Sequence, residues 1–156
     1  MGIKRRDLEH YKLLRKYCPV LFNSDSKIIN FGAGEGGISH LFWSNNSQVI
    51  NVDQSPMNFN YPERWEQYNS IFEIKSDHSF DLIYGSHSLH LVSNVEIIYE
   101  KILSLLKPNG YIFWEVPNGN NPMNNGCDNK IKAVHNYYFT RMFLKIFFSD
   151  LLDVNA

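Results

Sequence analysis

The sequence predicts an open α/β sheet, mostly parallel and flanked by helices. Three observations carry this. Short apolar runs bounded by turn residues alternate with stretches of helical spacing, a glycine cluster joins the first such run to the next helix, and no internal repeat interrupts the alternation. A chain of 156 residues supports one core, so a single domain over 1–156 is expected.

An N-terminal helix over 1–22 is expected because Leu8, Tyr11, Leu14, Tyr17, Cys18 and Leu21 recur at spacings of three and four among Lys and Arg. Cys18-Pro19 and the polar run Asn23 to Ser26 end it. Lys27 to Phe31 reads as a first strand, stopped by Gly32-Ala33-Gly34-Glu35-Gly36-Gly37. Ile38, Leu41 and Phe42 then keep helical spacing, and Gln48 to Val52 is a second strand ending at Asp53. Strand, glycine loop, helix and strand make a βαβ unit, which requires parallel pairing. Between 55 and 79 two readings stay open: a short helix carrying Trp65, Tyr68, Ile71 and Phe72, or an edge strand over Ile71 to Ile74. Phe80 to Tyr84 is a further strand. Ser93 with Glu96 fits a capping box, and Val95, Ile98, Ile102, Leu105 and Leu106 form the stripe of the helix it opens. Lys107-Pro108-Asn109-Gly110 is expected to turn the chain into a strand over Tyr111 to Val116, which closes a core of 27–116. The Asn-rich stretch 117–130 reads as a loop, and Tyr138, Met142, Phe143, Ile146, Phe147 and Leu151 predict a final helix within 131–156.

Fifteen Lys and Arg against sixteen Asp and Glu give a net charge of −1, which argues against affinity built on phosphate neutralisation, so no nucleic-acid partner is expected. Aromatic residues at 15% argue against intrinsic disorder. Cys18 and Cys127 form no CxxC pair, so neither a metal site nor a disulfide framework is expected. The start lacks a signal-peptide apolar region, and Met142 to Phe148, the best apolar run, is too short to span a bilayer. The expectation is a cytoplasmic protein without a membrane partner.

Gly32, Gly34 and Gly37 satisfy GxGxxG between a strand and a helix. A side chain there would block the tight turn and keep a ligand from the backbone, and the helix starting near Gly36 offers N–H groups to an anion. Asp53 ends the next strand 21 positions after Gly32, where an acid accepts hydrogen bonds from a ribose diol. Together they point to an adenosine-containing ligand. Nicotinamide dinucleotides and S-adenosylmethionine share this geometry. The polar Asn30 and the short chain, which leaves no second substrate domain, favour the latter.

Residues 27 to about 118 resemble a class I S-adenosylmethionine-dependent methyltransferase of the short type 11-like group. The resemblance rests on Phe80-Asp81-Leu82-Ile83, Ser86-His87-Ser88-Leu89, Leu106-Lys107-Pro108-Asn109-Gly110 and Val116-Pro117. The tail His135 to Thr140 is similar to that of family members acting on sugars and small metabolites. The resemblance implies a Rossmann-like sheet without the last strands of the methyltransferase fold, leaving a strand edge that a homodimer could cover. It implies methyl transfer to a small-molecule acceptor, such as a sugar or sugar nucleotide. The cofactor-binding set it implies is Asn30, Phe31, Gly32, Ala33 and Gly34, then Asp53 and Gln54, then Gly85, Ser86 and His87. Three departures stand out: Asn30 replaces the usual acid, Leu91 the usual His, and the adenine-side acid has no clear counterpart, with Glu73 and Asp77 both candidates. Asn30, Leu91 and the missing strands feed an alternative in which the domain binds or assembles without catalysis.

Transfer from a sulfonium needs positioning first, and a base only where the acceptor loses a proton. His87 follows the carboxyl end of a parallel strand, the side on which such sheets bind ligands, and His135 follows the Asn-rich loop. His87 and His135 are therefore the candidate catalytic residues, with Tyr137 as another candidate for the wall facing His87. His10, His40 and His78 carry no argument at this level.

Overall fold

A computed structural model describes residues 3–22, 25–55, 66–120, 136–137 and 139–147. Strand β1 (Lys27–Phe31) is buried over all but its first residue and pairs in parallel with two neighbours. These are β2 (Gln48–Val52) on one side and β4 (Phe80–Ser86) on the other. Outside β2 lies β3 (Glu66–Tyr68), and outside β4 lies β5 (Leu106–Glu115), giving the order β3-β2-β1-β4-β5 with every pair parallel. The chain thus leaves β1 to one side and later returns to the other. That places a topological switch between the carboxyl ends of β1 and β4, where open α/β sheets seat ligands.

Alternation along the strands divides the core. Ile29 and Ile83 face helix α3 (Val95–Leu105), packing with Ile98, Ile102 and Leu105. Their neighbours Ile28 and Leu82 face helices α1 (Arg5–Tyr17) and α2 (Gly37–Trp43), packing with Leu14, Ile38 and Phe42. A sheet covered on both faces requires such continuously apolar strands. On the α1 side Tyr84 stacks on Phe113 with ring centres 5.3 Å apart.

Several boundaries differ from the sequence expectation. The Asn94 side chain, rather than Ser93, caps α3 by accepting from the Ile97 amide at 3.1 Å; both residue types cap well, and Asn94 holds the extended backbone a cap needs. Lys107 to Gly110 do not precede the last strand but bulge within β5, between the pairs Phe80↔Leu106 and Leu82↔Tyr111. Pro108 has no amide N–H and Asn109 has φ 64°, features that serve a bulge as well as a turn. Between 66 and 79 neither reading holds: the edge strand is Glu66–Tyr68, and Ile71–Glu73 is a single 3-10 turn. The last helix, α4 (Arg141–Phe147), starts later than expected, with the Phe143 amide donating to Thr140 Oγ1 at 3.1 Å. The expected loop beyond residue 120 and the helix end beyond 147 lie outside the described residues.

Candidate functional site

The turn after β1 is held by backbone and by one carboxylate. The Gly32 and Ala33 amides both donate to the Val52 carbonyl, at 2.8 and 3.2 Å. Asp53 Oδ2 accepts from the Gly34 amide at 2.8 Å, and Oδ1 from the Ser55 amide at 2.9 Å. Asp53 therefore builds the turn while keeping lone pairs for a ligand, since each carboxylate oxygen accepts more than one bond. Gly32, Gly34 and Gly36 all have positive φ. A Cβ at Gly32 would collide with the Ser88 side chain, whereas one at Gly34 would meet nothing within 4 Å. The first glycine is thus required by packing, and the second opens onto a cavity.

That cavity, about 180 Å3, is lined by Asn30, the glycine turn, Tyr84 and Ser86, and is roofed by Lys4, Arg6 and Asp7 from the start of α1. It is smaller than the ~300–1,000 Å3 usual for a whole small-molecule ligand, which suits one end of a nucleoside. The Asn30 side chain is buried and committed: its Nδ2 donates to Ser39 Oγ at 2.7 Å, which donates to Asn51 Oδ1 at 2.6 Å. The start of α2 is not left open for an anion, because the Asp7 carboxylate already sits against Gly37.

Close by, Glu115 ends β5 and gathers polar groups from two segments, the end of β4 and helix α1. Ser86 Oγ donates to its Oε2 at 2.5 Å. His87 Nε2 lies 3.4 Å from Oε2, His10 Nε2 lies 3.5 Å from Oε1, and Arg6 Nε approaches at 3.9 Å. Behind His10, Nδ1 lies 2.7 Å from the Tyr84 hydroxyl. The Glu115 carboxylate can only accept, so in the neutral ring the proton sits on His10 Nε2 facing it, and Nδ1 accepts from the Tyr84 hydroxyl, a phenol whose pKa burial raises.

Burial lowers the His10 pKa below 6.5, and the Glu115 carboxylate only partly offsets this. Between 6.5 and that lower value the unfolded chain binds more protons than the folded one, so stability rises with pH across the window. Thermal melts should therefore show stability intact above pH 6.5 and declining below it. His10→Gln should flatten that decline; an unchanged slope would remove His10 as its source.

His87 has φ 54°, a left-handed backbone costing about 1–2 kcal/mol for a residue with a Cβ, and is held there by its amide donating to the Glu115 carbonyl at 2.9 Å. Strain of this kind gathers at functional sites. The His87 side chain is 46% exposed, accessible to an acceptor.

Of the residues expected from sequence, Asn30, Gly32, Ala33, Gly34 and Ser86 line the cavity, and Asp53 and His87 flank it through Gly34 and Glu115. Phe31 and Gly85 lie beneath: the Phe31 carbonyl accepts from Ser88 Oγ at 2.9 Å, and Gly85 leaves room for the Trp114 ring. Gln54 is exposed on the turn after Asp53, and His135 lies outside the described residues. Tyr137 does not face His87; its hydroxyl donates to the Ser93 carbonyl and accepts from the Val95 amide, fixing the start of α3. Asp77 precedes β4 and so lies at the amino edge, away from the cavity. The sequence reading missed Asp7, His10 and Glu115. Glu115 carried a signal, an acid closing an apolar strand at the ligand-binding edge.

A parallel sheet of this order, with a glycine turn at its switch point and an acid following β2, defines an open α/β protein of the kind that seats a ligand at that point. A family model described as a methyltransferase domain matches residues 4–148, and the chain belongs to that family. The expected fold class and family resemblance both hold. Among curated proteins, the hybrid PKS-NRPs synthetase opdA of Penicillium oxalicum is 28% identical over 105 residues, covering 56% of this chain and 3% of that protein. Among solved structures, a SAM-dependent methyltransferase from Archaeoglobus fulgidus superposes with TM-score 0.69 and 21% identity, over 92% of this chain and 67% of that one. A 1,6-didemethyltoxoflavin-N1-methyltransferase from Burkholderia thailandensis, bound to its namesake compound and S-adenosylhomocysteine, gives 0.58 and 18% over 69% and 50%. Phosphoethanolamine N-methyltransferase 2 of Haemonchus contortus, with S-adenosylmethionine, gives 0.56 and 19% over 67% and 27%. The chain therefore spans a small part of the synthetase and from about a quarter to two thirds of these structures. Among the described residues no helix is long and apolar enough to cross a membrane.

Proposed function

We propose that this domain transfers a methyl group from S-adenosylmethionine to a small-molecule acceptor. The observation that carries the reading is the cavity lined by the glycine turn and Ser86, with Asp53 accepting from the Gly34 amide and Glu115, which faces His87, accepting from Ser86. When bound, the cofactor supplies an electrophilic methyl on a positively charged sulfur. The chain's own residues do the rest. Gly34 presents open space where a ligand meets the backbone, and Asp53 offers its remaining lone pairs to a diol. Glu115 holds the Nε2 side of His87, leaving Nδ1 to accept a proton from the acceptor. The sequence resemblance supports a sugar or sugar nucleotide as that acceptor, and a cytoplasmic setting. The outer edge of β5 has no strand neighbour among the described residues, which supports a homodimer covering it.

Isothermal titration of the folded protein should show saturable binding of S-adenosylmethionine and S-adenosylhomocysteine. At about 100 times the dissociation constant the ligand adds ~2.7 kcal/mol, raising Tm by roughly 5–10 °C. Folded protein that binds neither compound sinks the assignment.

A further inference from the structure

The first 22 residues carry a charge opposite in sign to the rest of the chain. They hold six Lys and Arg against two Asp and Glu, leaving nine against fourteen elsewhere, so +4 stands beside −5. Within this segment the cations divide. Those at its start have carboxylate partners: Lys4 meets Glu35, Arg5 meets Glu9 and Arg6 meets Glu115. Lys12, Arg15 and Lys16 are exposed, and residues 11–22 contain no acid. Among the described residues no carboxylate comes within 4.0 Å of these three cations.

Apolar side chains stand exposed among them. Leu13 is 45%, Tyr17 65% and Val20 55% exposed. Of the twelve large hydrophobic side chains exposed among the described residues, five fall between 3 and 20, so this segment concentrates them. Leu13 and Tyr17, four positions apart, are neighbours on α1, as are Lys12 and Lys16. Val20 follows on the 3-10 turn Pro19–Phe22. The Lys16 ammonium lies 4.9 Å from the centre of the Tyr17 ring, and the Arg15 guanidinium 5.7 Å from that of Phe22. An exposed helix is convex and gives a protein partner no pocket to fill. A bilayer requires none: apolar tips enter between headgroups while Lys and Arg reach out along their stems to the phosphates.

We propose that the second half of α1, with the turn after it, docks the protein on an anionic lipid surface. Lys12, Arg15 and Lys16 meet the headgroups, and Leu13, Tyr17 and Val20 enter the interface. The acidic remainder of the chain is repelled by the same surface, which orients the molecule with this end toward it. At 1.5 Å per residue Tyr17 lies about 15–20 Å along α1 from Asp7 and Lys4, so the docking surface is separate from the cavity they roof. The sequence expectation of no membrane partner weighed only segments able to span a bilayer, and a docked helix spans nothing.

The test is co-sedimentation of the full chain with vesicles of phosphatidylcholine alone or mixed with phosphatidylserine. Each cation near an anionic surface is worth about fivefold in partition, so three give on the order of a hundredfold. Against the repulsion of the acidic remainder, the wild type should still prefer the mixed vesicles by tenfold or more at low salt. Most of that preference should vanish near about 1 M salt, where screening shortens the reach of a charge to ~3 Å. Lys12→Gln, Arg15→Gln and Lys16→Gln together should abolish the preference. Leu13→Ser with Tyr17→Ser should weaken binding to the mixed vesicles threefold or more while leaving its salt dependence. Both sets change exposed side chains, so thermal melts should stay near the wild type and report folded protein. A wild type that binds neither kind of vesicle, or both equally, overturns the proposal, as does a triple Gln variant that keeps the preference. Unchanged binding by the Leu13, Tyr17 variant overturns the apolar half of the contact. A wild type that ignores the vesicles yet is retained on polyglutamate assigns the surface to an acidic protein instead.

Discussion

Replacing His87 by alanine should lower kcat by about 10²-fold or more, with a much smaller change in KM for the cofactor. The expectation follows from where the imidazole stands. It projects from the residue after β4, is accessible to solvent, and lies against the one carboxylate that also collects Ser86 and His10. The backbone adds a second handle. At φ 54° a β-carbon is a liability, so His87→Gly should be more stable than His87→Ala by about 1 kcal/mol, although both lack the imidazole and both should be slow. A purely structural histidine predicts otherwise: its loss should lower Tm and leave turnover per folded molecule unchanged. Glu115→Gln separates positioning from chemistry. The amide can still accept from Ser86 but no longer carries the charge facing His87, so kcat should fall by a smaller factor than in His87→Ala while KM for the cofactor holds. A Glu115→Gln variant as fast as the wild type would leave His87 without need of its neighbour.

The parts of the fold legible in the sequence were those governed by local pattern. β1, β2 and β4 are short apolar runs closed by Gly, Asp or Ser, and a strand buried on both faces must look like that. The stripe of α3 was equally clear, while its cap lay one residue off because Ser93 and Asn94 compete on equal terms. The bulge in β5 was read as a turn, since Pro and Asn mark both, and only pairing with Phe80 and Leu82 tells them apart. The placement of candidate site residues was legible where they sit on the sheet's carboxyl edge, as with Asp53 and His87. It was illegible where it depends on docking. Asp7 and His10 sit in an ordinary amphipathic helix, and their roles arise from contact with Gly37 and with Tyr84, 74 positions away from His10. No window of sequence contains that information. In the pattern α1 is therefore a covering helix, and only its packing reveals that it brings charge to the cavity.

Two glycines two positions apart should respond to the same substitution in opposite ways. Gly32→Ala should destabilise the domain by about 2–5 kcal/mol, summing left-handed strain at φ 71° with forced overlap against Ser88. Ser88 cannot simply swing aside, because its hydroxyl is buried on the Phe31 carbonyl at the end of β1. Adding Ser88→Gly should recover the overlap part of the loss and leave the strain. Gly34→Ala places its methyl in open space, so its stability cost should be limited to about 1–2 kcal/mol of backbone strain at φ 52°. The same methyl projects toward the proposed cofactor, and affinity for S-adenosylhomocysteine should fall by tenfold or more. Denaturant melts paired with titration calorimetry on the two variants decide the matter. If Gly34→Ala binds like the wild type, the open space above Gly34 is not where the ligand lies, and the turn exists for packing alone. If Gly32→Ala is as stable as Gly34→Ala, the approach of Ser88 to the turn is looser than the hydrogen bond to Phe31 requires.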